Sequence, residues 1–315
     1  CSYQLPVAKS NTKHAKRVLV PNLNKIKRIA KHNRLKIIIL LVAVICTTFF
    51  ITKKNQNAKT ITSQPQQAAI QKNNLPSKVK PNQNVQNLLD TQVQNQSPTY
   101  AIFIKNLKTG DSYQINQDLK IPSASLYKLA VMYAAYDLLQ KGQIQKDQEI
   151  ADGLTVESAL ELMITVSDNN SALKLAEKIG WTNINSLIKS QSIDGFNLQV
   201  KDYPQTTAKA VADLLERIYT KTAVSQNASE EMLNLLLKQQ INDRIPKYLP
   251  LDVKVAHKTG ELDNLRHDAG IIFGKNSDYI FVFLTDTPIP QDGAENIAKL
   301  SKTMFEALEN PQSLK

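Results

Sequence analysis

Three short motifs in this chain contain the side chains that acyl transfer to a serine requires. In chain order they are Ser125-x-x-Lys128, Ser167-Asp168-Asn169 and Lys258-Thr259-Gly260. A serine becomes a strong nucleophile when a nearby base takes its proton, and residues three apart on a helix share one face. The motifs together offer a nucleophile, a second hydroxyl that can pass protons, and a cation that can bind an anionic group. We therefore expect Ser125 to be a nucleophile with Lys128 as its base.

Each motif alone is a weak indication, because both Ser-x-x-Lys and Lys-Thr-Gly recur in the chain. The other copies are Ser10/Lys13, Ser77/Lys80, Ser171/Lys174, Ser186/Lys189 and Lys108-Thr109-Gly110. Ser10 and Ser77 lie in polar segments without periodicity, and Ser171 follows Ser167 too closely to face it across a cleft. The second Lys-Thr-Gly lies between two alternating runs and predicts a hairpin turn at Gly110. Order and context therefore favour the set that begins at Ser125.

The first motif lies where an amphipathic pattern begins. Apolar residues recur with helical spacing over residues 126–141, so Ser125 is predicted at or near a helix start. There its backbone N–H can stabilise a developing oxyanion. We expect the second oxyanion donor to be the backbone N–H of Glu261, at a strand edge. Burial and the charge of Lys258 are expected to lower the pKa of Lys128, so that it can reach and deprotonate Ser125.

The second motif is expected to work on the leaving group. Ser167 can pass a proton from Lys128 toward a leaving nitrogen, and Asn169 can hold a substrate amide. Asp168 is expected to anchor the loop rather than to react. Taken alone, this motif is equally typical of a helix N-cap before Ser171.

The third motif is expected to bind the substrate. Lys258 and Thr259 suit a clamp for a carboxylate. Gly260 has no side chain and would let a substrate lie close to the edge of a strand.

The remaining pattern predicts a sheet built from distant segments, with helices inserted between them. Alternating runs indicate strands at 100–106, 112–115, 252–257, 267–274 and 279–285. Helical spacing indicates helices near 85–89 and at 126–141, 155–165, 170–179, 207–219, 230–240 and 293–308. Strands at both ends of the body and helices between them imply one sheet with an inserted helical part.

The charge of the chain is divided unevenly. Sixteen of the 39 Lys and Arg precede Asp90, whereas none of the 28 Asp and Glu does. The formal net charge of +11 therefore belongs to the N-terminal segment. Nucleic-acid binding by this basic segment is one interpretation. Membrane topology and anionic lipid headgroups explain the charge more simply, so no nucleic-acid partner is predicted.

An uncharged apolar run at residues 37–51 follows the basic segment. Counted to Thr52, the span has 16 residues, which is near the short limit of a membrane-spanning helix. The basic residues before it should stay in the cytoplasm. We therefore predict a cytoplasmic tail at 1–36, a single-pass signal anchor at 37–52, a flexible Gln/Asn-rich linker at 53–84 and an extracytoplasmic domain at 85–315. A cleaved signal peptide is the alternative to the anchor.

The cysteine and histidine content predicts neither a disulfide nor a metal site. The two cysteines are Cys1, at the first position, and Cys46, inside the apolar run. The four histidines are His14, His32, His257 and His267, too scattered for a spaced metal motif. No cofactor is predicted.

The body of the chain resembles the class A β-lactamases and the related penicillin-recognising serine hydrolases. The three motifs carry this resemblance, together with the runs Ala256–Leu262 and Arg266–Gly270, which resemble that family's strand pair. The resemblance spans Val85–Leu308. It implies an α+β fold, with an antiparallel sheet flanked by helices and an inserted all-α subdomain, and a site between the two parts. It also implies a serine hydrolase that acts on a β-lactam or on a peptidoglycan peptide.

One departure from this family bears on the reaction. Its class A members carry a glutamate on the Ω-loop that activates water to release the acyl-enzyme. This chain has no glutamate between Glu177 and Glu216. The segment expected to form the loop, 192–202, offers only Asp194 and Asp202 as carboxylates, and an aspartate reaches less far. We therefore expect acylation at Ser125 and slow hydrolysis of the acyl-enzyme.

Two alternatives remain open at the level of sequence. The missing glutamate favours a penicillin-binding-protein-like D-alanyl peptidase of cell-wall peptides, whereas kinship and length favour a β-lactamase. The other alternative is a non-catalytic penicillin-binding sensor module. Retention of Ser125, Lys128, Ser167 and Lys258 argues against the sensor, since binding alone does not require all four.

Overall fold

The computed structural model describes residues 81–94, 96, 98–199 and 203–314. The predicted tail, the predicted anchor and nearly all of the predicted linker lie outside these residues. Within them, no helix combines the length and the apolarity needed to cross a bilayer.

The centre of the fold is a five-stranded antiparallel sheet with the order β2-β1-β9-β8-β7. Its strands are β1 (Thr99–Asn106), β2 (Ser112–Ile115), β7 (Lys254–Leu262), β8 (Leu265–Phe273) and β9 (Asp278–Asp286). Two small two-stranded sheets are made by β3 (Ile121–Pro122) with β6 (Gln205–Thr206), and by β4 (Glu149–Ala151) with β5 (Leu154–Thr155). Strands from the two ends of the domain pair along β1 and β9, as Phe103 opposite Val282 illustrates.

Eight α-helices surround the sheet in the part of the chain that the structure describes. They are α1 (Gln83–Val93), α2 (Tyr127–Gln140), α3 (Val156–Thr165), α4 (Asn169–Ile179), α5 (Trp181–Ser190), α6 (Ala208–Tyr219), α7 (Gln226–Leu237) and α8 (Pro290–Glu309). Side-chain oxygens cap several N-termini: Thr155 caps α3, Asp168 caps α4, and Thr207 caps α6. The predicted α+β fold, a flanked antiparallel sheet with an inserted helical part, is confirmed.

Both faces of the sheet are buried. Successive residues of a strand point to opposite faces, so β9 contributes Ile280, Val282 and Leu284 to the core beneath the inserted helices. Its alternate residues, Tyr279, Phe281 and Phe283, pack in a second core with residues of α1 and α8. Full burial of such a side chain stabilises the fold by about 1.5–3 kcal/mol.

Helix α2 runs through the inserted helical part. Residues 128–136 are all buried, as expected of a helix that is apolar on every side. It contacts α3, α4, α5 and α7. This helix begins just after the turn that carries the predicted nucleophile, so its packing fixes the position of Lys128 inside the protein.

Most predicted boundaries hold, but one helix and one strand begin or end elsewhere, and one helix was not predicted. The hairpin at Gly110, which has φ +80°, joins β1 to β2 as predicted. The helix predicted at 230–240 begins earlier, at Gln226, because Ser225 caps it through the N–H of Ala228. The strand predicted at 252–257 is Lys254–Leu262, since its pairing with β8 continues past the third motif. Helix α5, which follows Gly180, has no counterpart in the prediction.

The start of the domain also differs slightly from the prediction. Helix α1 begins at Gln83 and is capped by Asn82. Two residues of the predicted linker, 83 and 84, therefore belong to a helix.

Candidate active site

Ser125 lies on a single 3₁₀ turn, Ala124–Leu126, that leads directly into α2. The prediction placed it at or near a helix start, and the structure places it on the turn just before the α-helix. Ala124 has φ +44°, a left-handed conformation that is uncommon for a residue with a side chain. The turn is closed by a hydrogen bond of 2.9 Å from the Leu126 N–H to the Ser123 carbonyl. The hydroxyl of Ser125 has no hydrogen-bond partner among the described residues. It is therefore open to a substrate.

Ser125 faces a small cleft of about 160 Å³. The cleft is lined by Ala124, Ser125, Tyr127, Asn169, Tyr203, Pro204, Glu261 and Leu262. Ser125 of the first motif and Asn169 of the second thus line the cleft, and Glu261, which follows the third motif, lies on the same wall.

Long-range contacts hold the turn that carries Ser125. The N–H of Ser123 donates to the carbonyl of Pro204 at 2.7 Å, and β3, just before the turn, pairs with β6. His267, on β8, donates from Nε2 to the carbonyl of Pro122 at 2.9 Å, while its Nδ1 accepts from the N–H of Thr285 at 3.1 Å. Burial lowers the pKa of His267 to about 4, so the ring stays neutral near pH 7. The sequence analysis gave His267 no role, and no local signal would have shown one.

Gly260 allows the sheet edge to approach this turn. A Cβ at Gly260 would lie 3.1 Å from the Cβ of His267 and 3.3 Å from the Cβ of Ala124. The glycine was predicted to let a substrate lie close to the strand. In the structure an added Cβ would meet the residue before Ser125 and the histidine that holds the turn, and the close approach of a substrate stays a prediction.

Lys128 is fully buried and points to the second motif rather than to Ser125. Its Nζ donates to the Ser167 carbonyl at 2.6 Å, to Ser167 Oγ at 3.2 Å and to Asn169 Oδ1 at 2.7 Å. These three acceptors match the three N–H donors of an ammonium group. The predicted contact between Lys128 and the Ser125 hydroxyl is therefore absent from the described residues, because a more complete set of acceptors draws the amine away.

Lys258 also binds the hydroxyl of Ser167. Its Nζ donates to Ser167 Oγ at 2.8 Å and to the carbonyl of Thr259 at 2.9 Å. The side chain of Lys258 is buried, as is that of its neighbour Thr259. The third motif thus meets the second across the cleft, and Ser167 is the point of contact.

It is unfavourable for the amines of Lys128 and Lys258 to be protonated at the same time. Burial lowers the pKa of Lys128 to about 8. Burial, and then the positive charge of Lys128, lower the pKa of Lys258 far below the ordinary lysine range. With its pKa at about 8, Lys128 is neutral in a fraction of the molecules at neutral pH, and its charge when protonated disfavours a second charge on Lys258. With Lys258 donating to Ser167 Oγ, the Ser167 hydroxyl is free to donate to Lys128 when that amine is neutral, which gives a connected path for a proton.

The second motif combines this role with helix capping. Asp168 Oδ1 accepts from the N–H of Ser171 at 2.7 Å and so begins α4. Hydrogen bonds from Ser171 lower the pKa of the Asp168 carboxyl. Ser167 itself has φ +61°, a conformation that costs a non-glycine residue of order 1–3 kcal/mol. The structure shows the cap, and the loop that it fixes places Ser167 Oγ within hydrogen-bond distance of both lysines, while the proton-passing role stays a prediction.

Arg244 is a functional candidate that the sequence analysis missed. It is fully buried, and none of its three guanidinium nitrogens makes a hydrogen bond within the described residues. Its Nη2 lies 3.2 Å from Glu261 Oε2, as an ion pair that is not aligned for a hydrogen bond. A buried cation with unused donors beside Lys258 suits the binding of an anion.

A buried network holds the segment that carries Arg244. The N–H of Ile245 donates to Asp268 Oδ2 at 3.0 Å, and His257 Nδ1 lies 2.9 Å from Asp268 Oδ1. His257 and Asp268 are nearly or fully buried. Arg244 is far from the first two motifs in sequence, and this attachment to β7 and β8 holds it behind Glu261, which lines the cleft.

The segment predicted as the Ω-loop leads into one wall of the cleft. Tyr203 and Pro204 line it, next to β6. Of the two carboxylates predicted there, Asp194 is exposed and does not line the cleft, and Asp202 lies outside the described residues. Glu261 is the one carboxylate on the described wall. No cluster of potential metal ligands occurs within the described residues.

Fold and site together define a serine hydrolase, and comparison with known proteins agrees. A profile described as the beta-lactamase enzyme family matches residues 80–308. The chain belongs to this family, as the resemblance predicted.

Individual relatives are distant. A β-lactamase of Bacteroides uniformis is 24% identical over 271 residues, which cover 71% of this chain and 91% of the relative. The β-lactamase BRO-1 of Moraxella catarrhalis is 28% identical over 152 residues, 44% of this chain and 48% of its own length.

Solved structures share the fold at low identity. The structure of PBP-A is similar with a TM-score of 0.67 and 21% identity, covering 73% of this chain and 98% of that one. An acyl-enzyme complex of a PBP-A point mutant with penicillin G has a TM-score of 0.68 and 20% identity, with the same coverage. A β-lactamase from Sphaerobacter thermophilus has a TM-score of 0.66 and 22% identity, covering 72% and 97%.

Proposed function

We propose that this protein is a membrane-anchored serine hydrolase that is acylated by β-lactams at Ser125 and releases the acyl group slowly. One observation carries the proposal: two buried lysines, Lys128 and Lys258, meet at the hydroxyl of Ser167 beside the cleft of Ser125. This arrangement provides an amine that can be neutral near pH 7 and a path from it to the leaving nitrogen. A binding module has no use for such a path.

The proposed acylation proceeds through these groups. Ser125 Oγ attacks the carbonyl carbon of the lactam, and its proton passes to the neutral amine of Lys128. Lys128 must turn from the second motif to reach Ser125, as apo sites often require. The backbone N–H groups of Ser125 and Glu261 stabilise the oxyanion. When the C–N bond breaks, Ser167 gives its proton to the nitrogen and recovers one from the lysine pair.

The anionic end of the substrate is proposed to bind at the third motif. Lys258 and Thr259 were predicted as a carboxylate clamp, and the buried Arg244 adds a second cation with unused donors. Asn169 lines the cleft, and its Oδ1 is engaged by Lys128, so its NH₂ group is proposed to hold the side-chain amide of the substrate.

Slow release follows from the lack of a free base on the described wall of the cleft. Glu261, the one carboxylate there, is paired with Arg244 and Arg266 at 3.2 and 3.0 Å. Each of its two carboxylate oxygens faces a guanidinium group, and the half-exposed side chain turns to solvent if a substrate carboxylate takes its place at Arg244. Water therefore lacks a partner that could take its proton during hydrolysis of the acyl-enzyme.

The meeting of Lys128 and Lys258 at Ser167 also favours a second candidate, a D-alanyl peptidase of cell-wall peptides. A peptide acyl donor would use the same nucleophile and the same carboxylate clamp. The likeness of the fold to PBP-A is in keeping with this candidate. Both candidates fit the proposed location, in which residues 37–52 anchor the chain and the domain lies outside the cytoplasmic membrane.

The test is a time course of intact mass for the full chain mixed with benzylpenicillin. Ser125→Ala removes the proposed nucleophile, and Ser186→Ala is the matched control, because Ser186 and Lys189 form an exposed Ser-x-x-Lys on α5. A persistent adduct on the wild type and on Ser186→Ala only is the expected result. A transient adduct with accumulating penicilloate would contradict slow release, and no adduct at all would contradict acylation by β-lactams.

A further inference from the structure

The carboxylate of Glu261 occupies the position at which an anionic substrate group would meet Arg244. Glu261 follows Gly260 directly on β7, and it lines the cleft of Ser125. Its Oε2 lies 3.2 Å from Arg244 Nη2, and its Oε1 lies 3.0 Å from Arg266 Nε. Arg266 is its partner across the β7–β8 pair.

We infer that Glu261 acts as a resident carboxylate on the anion site and sets its specificity, so that an acyl donor with a carboxylate must displace it. The inference rests on the proposed function, because it concerns the same cleft and the same acylation. It adds a selectivity that the three motifs do not predict: the site discriminates against the anionic group that its cations would otherwise attract.

The burial pattern supports displacement rather than a permanent structural pair. The Glu261 side chain is 53% exposed, whereas Arg244 is 0% exposed. The carboxylate can therefore turn to solvent at small cost, but the guanidinium cannot follow it. Arg244 then keeps only the more distant carboxylate of Asp243, whose Oδ1 lies 3.5 Å from its Nη1, and its unused donors favour another anion.

Arg266 does not depend on Glu261 to keep its place. Its Nη1 donates to the carbonyls of Asp263 and Leu265 at 3.1 and 2.8 Å. It therefore remains as a second cation at the rim after Glu261 leaves. Arg244 has no such bonds in the described residues, so it is the guanidinium that gains most from an incoming carboxylate.

The size of the effect follows from the exposure of the pair. A half-exposed ion pair that must be broken before binding weakens the complex by about fivefold. A donor whose carboxylate is esterified does not need Arg244 and does not meet this cost. Replacing Glu261 by Gln should therefore raise, by about fivefold, the ratio of acylation rates for a free-acid donor and its methyl ester.

The experiment compares benzylpenicillin with benzylpenicillin methyl ester on the full chain, at concentrations below saturation. The second-order rate of adduct formation is measured by intact mass for the wild type, Glu261→Gln and Glu177→Gln. Glu177, on α4, is a matched control: it is 54% exposed, is paired with Lys174 at 3.0 Å and does not line the cleft. The Glu261 backbone N–H serves both donors as an oxyanion contact. Any change in that contact therefore alters both acylation rates alike and cancels in their ratio.

The expected result is a ratio about fivefold higher in Glu261→Gln than in the wild type, with Glu177→Gln close to the wild type. A ratio that is unchanged or lower in Glu261→Gln would overturn the inference while leaving the proposed acylation intact. Absence of an adduct on the wild type with either donor would overturn the proposed function and this inference with it.

Discussion

Replacing Lys128 by Met should strongly slow acylation and, at neutral pH, relieve the protein of a buried charge. Lys128 is fully buried, and burial lowers its pKa from 10.5 to about 8. In the unfolded chain the amine keeps its ordinary pKa. Between these two values the unfolded state binds more protons than the folded state, so stability rises with pH across this window.

The size of the effect follows from the two pKa values. The difference between 10.5 and about 8 corresponds to a cost of about 3 kcal/mol at pH 7, most of which has disappeared by about pH 10. Met also leaves the Ser167 carbonyl and Asn169 Oδ1 without the donor that they have in the wild type. That loss does not depend on pH. The free energy of unfolding of Lys128→Met, relative to the wild type, should therefore be about 2–3 kcal/mol more favourable at pH 7 than at pH 10.

The assay is urea unfolding at the two pH values, followed by the fluorescence of the single tryptophan, Trp181. Lys174→Met is the control, because Lys174 is a half-exposed lysine on α4 and should show no such pH dependence. Acylation of Lys128→Met by benzylpenicillin should be at least about a hundredfold slower than in the wild type. A stability difference that is equal at both pH values would refute the argument from burial, and acylation at the wild-type rate would refute the role as base.

Three further changes test other parts of the site. Gly260→Ala should slow acylation about tenfold in the intact-mass assay, because the new Cβ would press on Ala124 at 3.3 Å and shift the serine turn; a wild-type rate would contradict that contact. Burial holds the pKa of His267 at about 4 instead of 6.5. The free energy of unfolding should therefore fall by about 3 kcal/mol between pH 7 and pH 4 because of this residue. His267→Gln should lose less stability over the same pH range, as measured by acid unfolding. Tyr203→Glu introduces a carboxylate into the cleft wall and should speed release of the acyl group about a hundredfold relative to Tyr203→Gln; equal release by both variants would contradict the absence of a base as the cause of slow hydrolysis.

Local signals in the sequence predicted most of the elements. The alternating runs that became β1 and β2, and the turn at Gly110, depend only on side-chain alternation and on a glycine with positive φ. The α4 cap at Asp168 likewise depends on residues three positions apart. Boundaries failed where distant contacts decide them, as in β7, which is extended to Leu262 by its pairing with β8.

The candidate site divides in the same way. By itself, the sequence determined the family, the identity of the motif residues and their order along the chain, because those depend on residue type and spacing. The tertiary structure decided that Lys128 turns toward Ser167, that His267 holds the serine turn, and that Arg244 meets Glu261 beside the cleft. Each of these contacts joins residues far apart in the chain. Their geometry depends on the packing of the sheet against the inserted helices, and no local pattern of residues encodes it.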